Sequence, residues 1–280
     1  MERLEIPILD GSQGDVHRAI LRVLQNGVVL PDYWLERPPL EWTSATRAAV
    51  EDVVALRERA GGEAVLDVDP ILEGRGDVTT WPFLCALAER CEIAFHGTGD
   101  PGIESFEPRQ PIDFAPFGHQ KAVFATTDPV WAMFYAIVDR DRHRITLNNG
   151  CILLLDDDGR PGVPYYYFSI TDDVLDRRPW RTGYVYFLPA DTFVAQPAGA
   201  YGGRTARVPQ LASPVAVTPF ARVRVGPEDF PFLAQIRGLE SSWPRMWARK
   251  GKSSGPTRTR AKGVTATGLA SCGTRAVRPP

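Results

Sequence analysis

Apolar positions follow two regimes along the chain, helical before about residue 90 and strand-like after it. Following Asp15, a candidate N-cap, Val16, Ala19, Ile20, Val23 and Leu24 recur at 3.6-residue spacing, and Gly27 is placed to end the helix they predict. A second helix is expected from Thr43 or Ser44. It carries Val50, Val53, Val54 and Ala60, has acids early and arginines late, and stops at Gly61-Gly62. Thr80, followed by Trp81 and Pro82, reads as a third helix start with proline in the first turn, leading to Phe83, Leu84, Leu87 and Ala88. Beyond residue 92, Ile93 and Phe95 run into His96-Gly97-Thr98, and Val123-Phe124-Ala125 precedes a turn and an aromatic-rich helix start. Cys151–Leu155, Tyr165–Ile170, Gly183–Leu188 and Val215–Val225 read as further strands, the last as one or two. Gly159–Gly162, Pro179 and Pro189–Asp191 punctuate them, and Ala198–Gly203 reads as a mobile loop. The expectation is an α+β fold: a helical N-terminal region over 1–90, then a mainly antiparallel sheet over 91–248.

Charge changes this picture at the C-terminus. Arg249–Pro280 holds eight Lys or Arg and no acid, so against a chain total of −2 the preceding residues carry −10. The acidic main part argues against a nucleic-acid-coated surface there. The tail has too few large apolar residues to offset the entropy of ordering it, so residues 249–280 are expected to be disordered. Such a tail has the charge to contact acidic partners, or serves as a solvated terminus. Cys85, Cys91, Cys151 and Cys272 show no Cys-x-x-Cys spacing and no disulfide framework, which fits a reducing cytoplasm. The N-terminus lacks the order of a signal peptide, and no apolar run approaches the roughly 18 residues of a membrane span. A cytoplasmic protein without membrane contact is expected.

Phosphate-binding, zinc-peptidase and hydrolase-elbow motifs are not found in the sequence. Asp156-Asp157-Asp158-Gly159 lacks the later ligands of a calcium loop and reads as a solvated turn. His119 and His143 have no ligand spacing with a carboxylate, and His17 is an ordinary helical histidine, so no metal is expected.

Candidate chemistry gathers at the end of the Ile93 strand. His96 falls where a buried sheet opens to solvent, and Gly97, without a Cβ, lets another backbone or a flat ligand come close. Cleaving a glycosidic bond to a positively charged ring such as a bound nicotinamide, which departs neutral, needs positioning more than a strong general acid. Flat aromatics, hydrogen bonds to ribose hydroxyls and an amide-matching backbone supply it. His96, Thr98, Phe124, Phe134 and Tyr135 are residues of those types. The plainer alternative is that His96 caps the strand by bonding a carbonyl and that Phe124, Trp131 and Phe134 are core.

Glu92–Thr98 and Lys121–Ala136 together resemble the ADP-ribosyltransferase superfamily of the diphtheria-toxin and poly(ADP-ribose) polymerase type, whose first strand ends in His-Gly-Thr or His-Gly-Ser. The resemblance extends at most over about Glu92–Leu233. It implies NAD as co-substrate, with His96, Gly97 and Thr98 contacting its ribose and carboxamide. Val123-Phe124-Ala125 is similar to the family's next block, and Phe134 or Tyr135 would stack on the nicotinamide. The family usually supplies a glutamate on a late strand, which here corresponds to Ala212–Val217, yet no acid lies in Gln210–Val225. Ser213 or Gln210 stands in its place, with Glu228 and Asp229 in the turn beyond, which leaves mono-transfer or no catalysis.

Three functions follow. One is an NAD-dependent mono-ADP-ribosyltransferase-like enzyme, with His96 and Ser213 as catalytic residues and a protein or nucleic acid as acceptor. Another is an RNA 2'-phosphotransferase-like enzyme, which needs Arg109, Arg140, Arg142 and Arg144 to converge on phosphates. The last is a nucleotide- or protein-binding module of the same fold without turnover.

Overall fold

The computed structural model describes residues 33–59, 65–111, 117–201 and 204–239. The helix expected over 16–24 and the tail 249–280 lie outside them. No helix among the described residues is long and apolar enough to cross a membrane.

The chain begins with a short strand, β1 (Leu35–Glu36), and a helix, α1 (Ser44–Arg59). Thr43 starts α1 as the sequence suggests, its Oγ1 accepting the Thr46 N–H at 3.0 Å. One face of α1 buries Ala49, Val50 and Val53. Then come β2 (Leu66–Asp67), α2 (Asp69–Glu73) and α3 (Thr80–Arg90), the last burying Phe83, Leu84, Cys85, Ala86 and Leu87. The strand β3 (Ile93–Thr98) follows, then β4 (Val123–Thr126) and α4 (Pro129–Ile137). The remainder is β5 (Leu147–Leu155), β6 (Pro161–Thr171), α5 (Asp172–Leu175), β7 (Gly183–Pro189), β8 (Val194–Ala195), β9 (Gly199–Tyr201), β10 (Arg204–Arg207), β11 (Gln210–Ser213), β12 (Ala221–Val225) and β13 (Arg237–Leu239).

These strands form two sheets in an α+β arrangement. One runs β1-β6-β5-β10-β9, with β13 also on β6; the other runs β2-β12-β7-β3-β4-β11-β8. Pairing is antiparallel except for β2 on β12 and β13 on β6. The main core lies between the sheets and holds residues of α1, α3, α4, β3, β5, β6, β7 and β12. A smaller core of Ala94, Phe106, Val123, Ala125, Tyr186, Leu188, Leu211 and Val217 covers the opposite face of the second sheet.

Four expectations need correction. The part of 1–90 described is not a separate helical region: β1 and β2 join the two sheets, and α1 and α3 pack in the same core as α4. Gly199–Tyr201, read as loop, is a strand because Thr205 and Ala206 of β10 pair with Ala200 and Gly199. The late strand read over Ala212–Val217 ends at Ser213, and of Val215–Val225 only Ala221–Val225 is strand. Val217 instead makes an isolated bridge to Phe106, tying down the segment after β3.

The element that fixes the rest is α4. Asp128 caps it, its Oδ1 accepting the Trp131 N–H at 2.8 Å while Oδ2 accepts the Tyr166 O–H at 2.7 Å. Burial pushes this carboxyl above its ordinary range, against the bonds from Trp131 and Tyr166 and the nearby Arg37 charge. Apart from Tyr135, every residue of α4 is buried. Such a helix, apolar all round, belongs inside a core. It presses on β3 and β7 where each has a glycine. A Cβ on Gly97 would sit 1.8 Å from the Ala132 carbonyl oxygen, and one on Gly183 2.1 Å from that of Ala136. Gly183→Ala must therefore push α4 off the sheet, and we expect a loss of about 1–3 kcal/mol in chemical denaturation. An unchanged midpoint would contradict this packing.

Candidate functional site

The pairing of β3 explains where a ligand can reach. Leu66 and Val68 N–H donate to the carbonyls of Phe220 and Arg222, so alternate residues of β12 turn their peptides toward β2 and the others toward β7. Carried across β7, this alternation turns the peptides of Ala94, His96 and Thr98 toward β7 and those of Phe95 and Gly97 toward β4. The ladder between β3 and β4 has one register position, Phe95 opposite Thr126. In a continuous ladder the next pair would be Gly97 with Phe124. Instead the His96 ring intervenes, and its Nδ1 lies 2.7 Å from the Phe124 carbonyl oxygen. A carbonyl only accepts, so Nδ1 carries the proton and donates. The strands part here, and the Gly97 peptide is turned toward the opening.

This tautomer leaves His96 Nε2 as an acceptor with no protein partner among the described residues. Phe106 covers one side of the ring at a centroid distance of 4.5 Å. Burial holds the imidazole below its ordinary pKa of 6.5; the bond to Phe124 opposes this, and the Arg109 charge adds to it. The ring is therefore neutral at physiological pH. Arg109 is held beside β4 by its bridge to Ala122.

Alternation places the Phe124 side chain on the α4 face of the sheet, because Val123 and Ala125 belong to the smaller core on the opposite face. His96, Gly97, Thr98, Phe124, Tyr135 and Asn149 are all partly exposed, although Phe95, Trp131 and Phe134 beside them in sequence are buried. Tyr135 donates its hydroxyl proton to Asn149 Oδ1 at 3.0 Å, and Trp131 Nε1 donates to the same oxygen at 2.6 Å. The Thr98 hydroxyl accepts the Asp100 N–H at 3.3 Å and shapes the turn after β3.

Two expected site residues are elsewhere. Phe134 is fully buried, with ring contacts to Phe168 at 4.8 Å and Phe230 at 6.1 Å. It is core and offers no face for stacking, which leaves Tyr135 as the aromatic of that pair. Ser213 is also fully buried; its hydroxyl donates to Thr192 Oγ1 at 2.8 Å or the Val215 carbonyl at 3.0 Å. It lies on β11, two strands from β3 and thus about 10 Å away at ordinary strand spacing. Its hydroxyl is a turn-forming group, not a catalytic one. The Gly97 position is required by the Ala132 backbone, so of the two close approaches expected there the observed one is the protein's own. Asp229, in the turn that carries the late acids, is likewise structural: it accepts from Thr80 Oγ1 at 2.8 Å and from the Gly226 N–H at 2.7 Å. That turn lines a separate depression of about 360 Å³ with Asp69, Glu73 and Arg224.

Sequence reasoning passed over Asn149 and Phe106. The signal for Asn149 was present: Asn148-Asn149-Gly150 is a polar break at the entrance to the apolar run Cys151–Leu155. Phe106 sits in an irregular stretch, where no periodicity marks it.

No protein-family model, curated protein or solved structure matches the chain.

The depressed His96 pKa gives a direct test. The folded state prefers the neutral ring, so its contribution is present above the unfolded pKa of 6.5 and is lost as pH falls through 6.5 toward the lower folded value. Wild type should lose more stability between pH 7.5 and 5.5 than His96→Gln does, measured as urea midpoints. Equal losses would show that the ring titrates freely.

Proposed function

We propose that the opening between β3 and β4 binds NAD and that the protein is a mono-ADP-ribosyltransferase-like enzyme of split-sheet type, acting in the cytoplasm. The observation that carries this reading is the interrupted ladder: the neutral His96 spends its Nδ1–H on Phe124 and keeps Nε2 as an acceptor beside a Gly97 peptide turned outward. An outward peptide N–H and C=O match a carboxamide, which offers one acceptor and a pair of donors, and Nε2 matches the donor of a ribose hydroxyl. Phe124 and Tyr135 supply flat surface for a nicotinamide ring. Arg109 supplies a cation of the right sign for a pyrophosphate.

The carbonyl-capping role of His96 and the ligand role are compatible, since they use different ring nitrogens. Thr98 borders the site without a hydroxyl free of the turn. With Ser213 buried, His96 is the remaining catalytic candidate, and it acts by holding the ribose for departure of nicotinamide. The charge felt by His96 comes from Arg109, a cation, whereas the developing charge on the ribose calls for an anion. Slow turnover to one acceptor, a protein or a nucleic acid, suits that arrangement better than chain elongation. The RNA 2'-phosphotransferase alternative is less well supported, because a carboxylate already faces one of the arginines it needs: Arg142 pairs with Asp139. The free thiols of Cys85, Cys91 and Cys151 suit a reducing compartment.

The test is calorimetric titration with NAD, followed by incubation with labelled NAD plus total protein and nucleic acid. Wild type should bind NAD, and His96→Ala should weaken it about tenfold, the worth of one or two hydrogen bonds at roughly 0.5–1.5 kcal/mol each. Label transfer marks a transferase, release of nicotinamide alone a glycohydrolase, and binding without either the non-catalytic module. A wild-type protein that does not bind NAD would end the reading.

A further inference from the structure

Asn149 has a donor face that the protein does not use. Trp131 Nε1 carries a proton and accepts nothing, so the atom 2.6 Å from it must be the amide oxygen of Asn149, whichever way the side chain is otherwise assigned. The Tyr135 hydroxyl donates to the same oxygen at 3.0 Å, which fills its second lone pair. The amide NH2 therefore points the other way, and its two N–H donors have no protein partner among the described residues. They are not stranded in the core: among the described residues, the buried side-chain polar atom without a partner is Arg222 Nε, not the Asn149 amide nitrogen. A half-buried amide with a satisfied acceptor and two solvent-reachable donors is oriented for a ligand that accepts.

Its place in the fold agrees. Asn149 pairs across β6 with Phe168, a core residue on the α4 side, so its side chain rises toward α4 beside Tyr135. Thr171 N–H donates to the Thr146 carbonyl, so by alternation the Asn149 peptide turns away from β6. On that side β10 covers β5 at Leu153 and Leu154, short of Asn149. The amide thus stands at a stretch of sheet edge without a neighbouring strand among the described residues, on the same oxygen-centred network that orients Tyr135.

We propose that Asn149 is a ligand-binding residue: with its oxygen fixed by Trp131 and Tyr135, its NH2 donates to an acceptor oxygen of the molecule seated over Tyr135. This rests on the NAD reading of the site, where the acceptor is either the nicotinamide carbonyl or a phosphate oxygen of the ADP-ribose half. In both cases the chemistry is an uncharged amide donor meeting an oxygen that offers lone pairs.

Asn149→Asp separates this role from a structural one. The carboxylate keeps an oxygen for Trp131 and Tyr135, so the fold is retained, but it replaces both donors with an acceptor. Affinities for NAD, ADP-ribose and nicotinamide should be measured by calorimetry on wild type, Asn149→Asp and Asn149→Ala, together with melting temperatures. The expected result is an unchanged melting temperature for Asn149→Asp with about tenfold weaker binding of ADP-ribose or of nicotinamide, the affected fragment naming the oxygen. Asn149→Ala should lose both binding and stability, because it leaves Trp131 and Tyr135 without their acceptor. If wild type binds NAD and Asn149→Asp binds all three compounds as tightly, Asn149 is a structural clamp and the proposal falls alone. If wild type binds none of them, the NAD reading and this proposal fall together.

Discussion

The approach of α4 to the sheet of β3 and β7 governs the molecule. A helix buried on nearly all sides must have its ends satisfied and its backbone admitted close to its neighbours. Asp128 satisfies the start, and Gly97 and Gly183 admit the Ala132 and Ala136 carbonyls where any Cβ would collide. Once α4 is seated, Phe134 points into the cluster with Phe168 and Phe230, and Tyr135 is turned to the rim. The helix phase, set by contacts a glycine allows, decides which aromatic a ligand can meet.

The same constraint shapes the opening. Gly97 is held by α4 on one face of β3, while on the other face Phe106 lies against His96 and Tyr186. Between them the ladder to β4 gives way to a side-chain bond from His96 to Phe124. One imidazole thus replaces a backbone pair, closes one acceptor and leaves its second nitrogen and the neighbouring peptide for something else. Across α4, Asn149 does the converse: its oxygen is used by the protein and its donors are left over. The acceptor left at His96 lies on the Phe106 side of the sheet, and the donors left at Asn149 lie beside Tyr135 on the α4 side.

Much of the scaffold was legible in the sequence. The Thr43 start of α1, the Pro82 turn of α3 and the alternation through Tyr184–Phe187 follow from local rules, and they hold. Of the candidate site, the polar cluster His96-Gly97-Thr98 at the end of an apolar strand was legible as a local pattern, and so were the partly exposed Phe124 and Tyr135 as aromatic candidates. What failed depends on long-range pairing. Gly199–Tyr201 has little strand propensity and is a strand because β10 lies beside it. Ser213 matched by position along the chain but sits two strands from His96, and the choice between Phe134 and Tyr135 needed the helix phase. Asn149 drew no notice because its meaning lies in Trp131 and Tyr135, which contact it from another element.

Hydrogen exchange at single amides, with and without NAD, addresses the interrupted ladder most directly. An amide locked in a buried ladder exchanges slowly, and one facing an opening exchanges fast. The account predicts slow exchange at Phe95 and Thr126, fast exchange at Gly97 in the free protein, and slowing at Gly97 when NAD is added. Gly97 protected as strongly as Phe95 without ligand would mean that the ladder runs on to Phe124 and that no binding edge exists there.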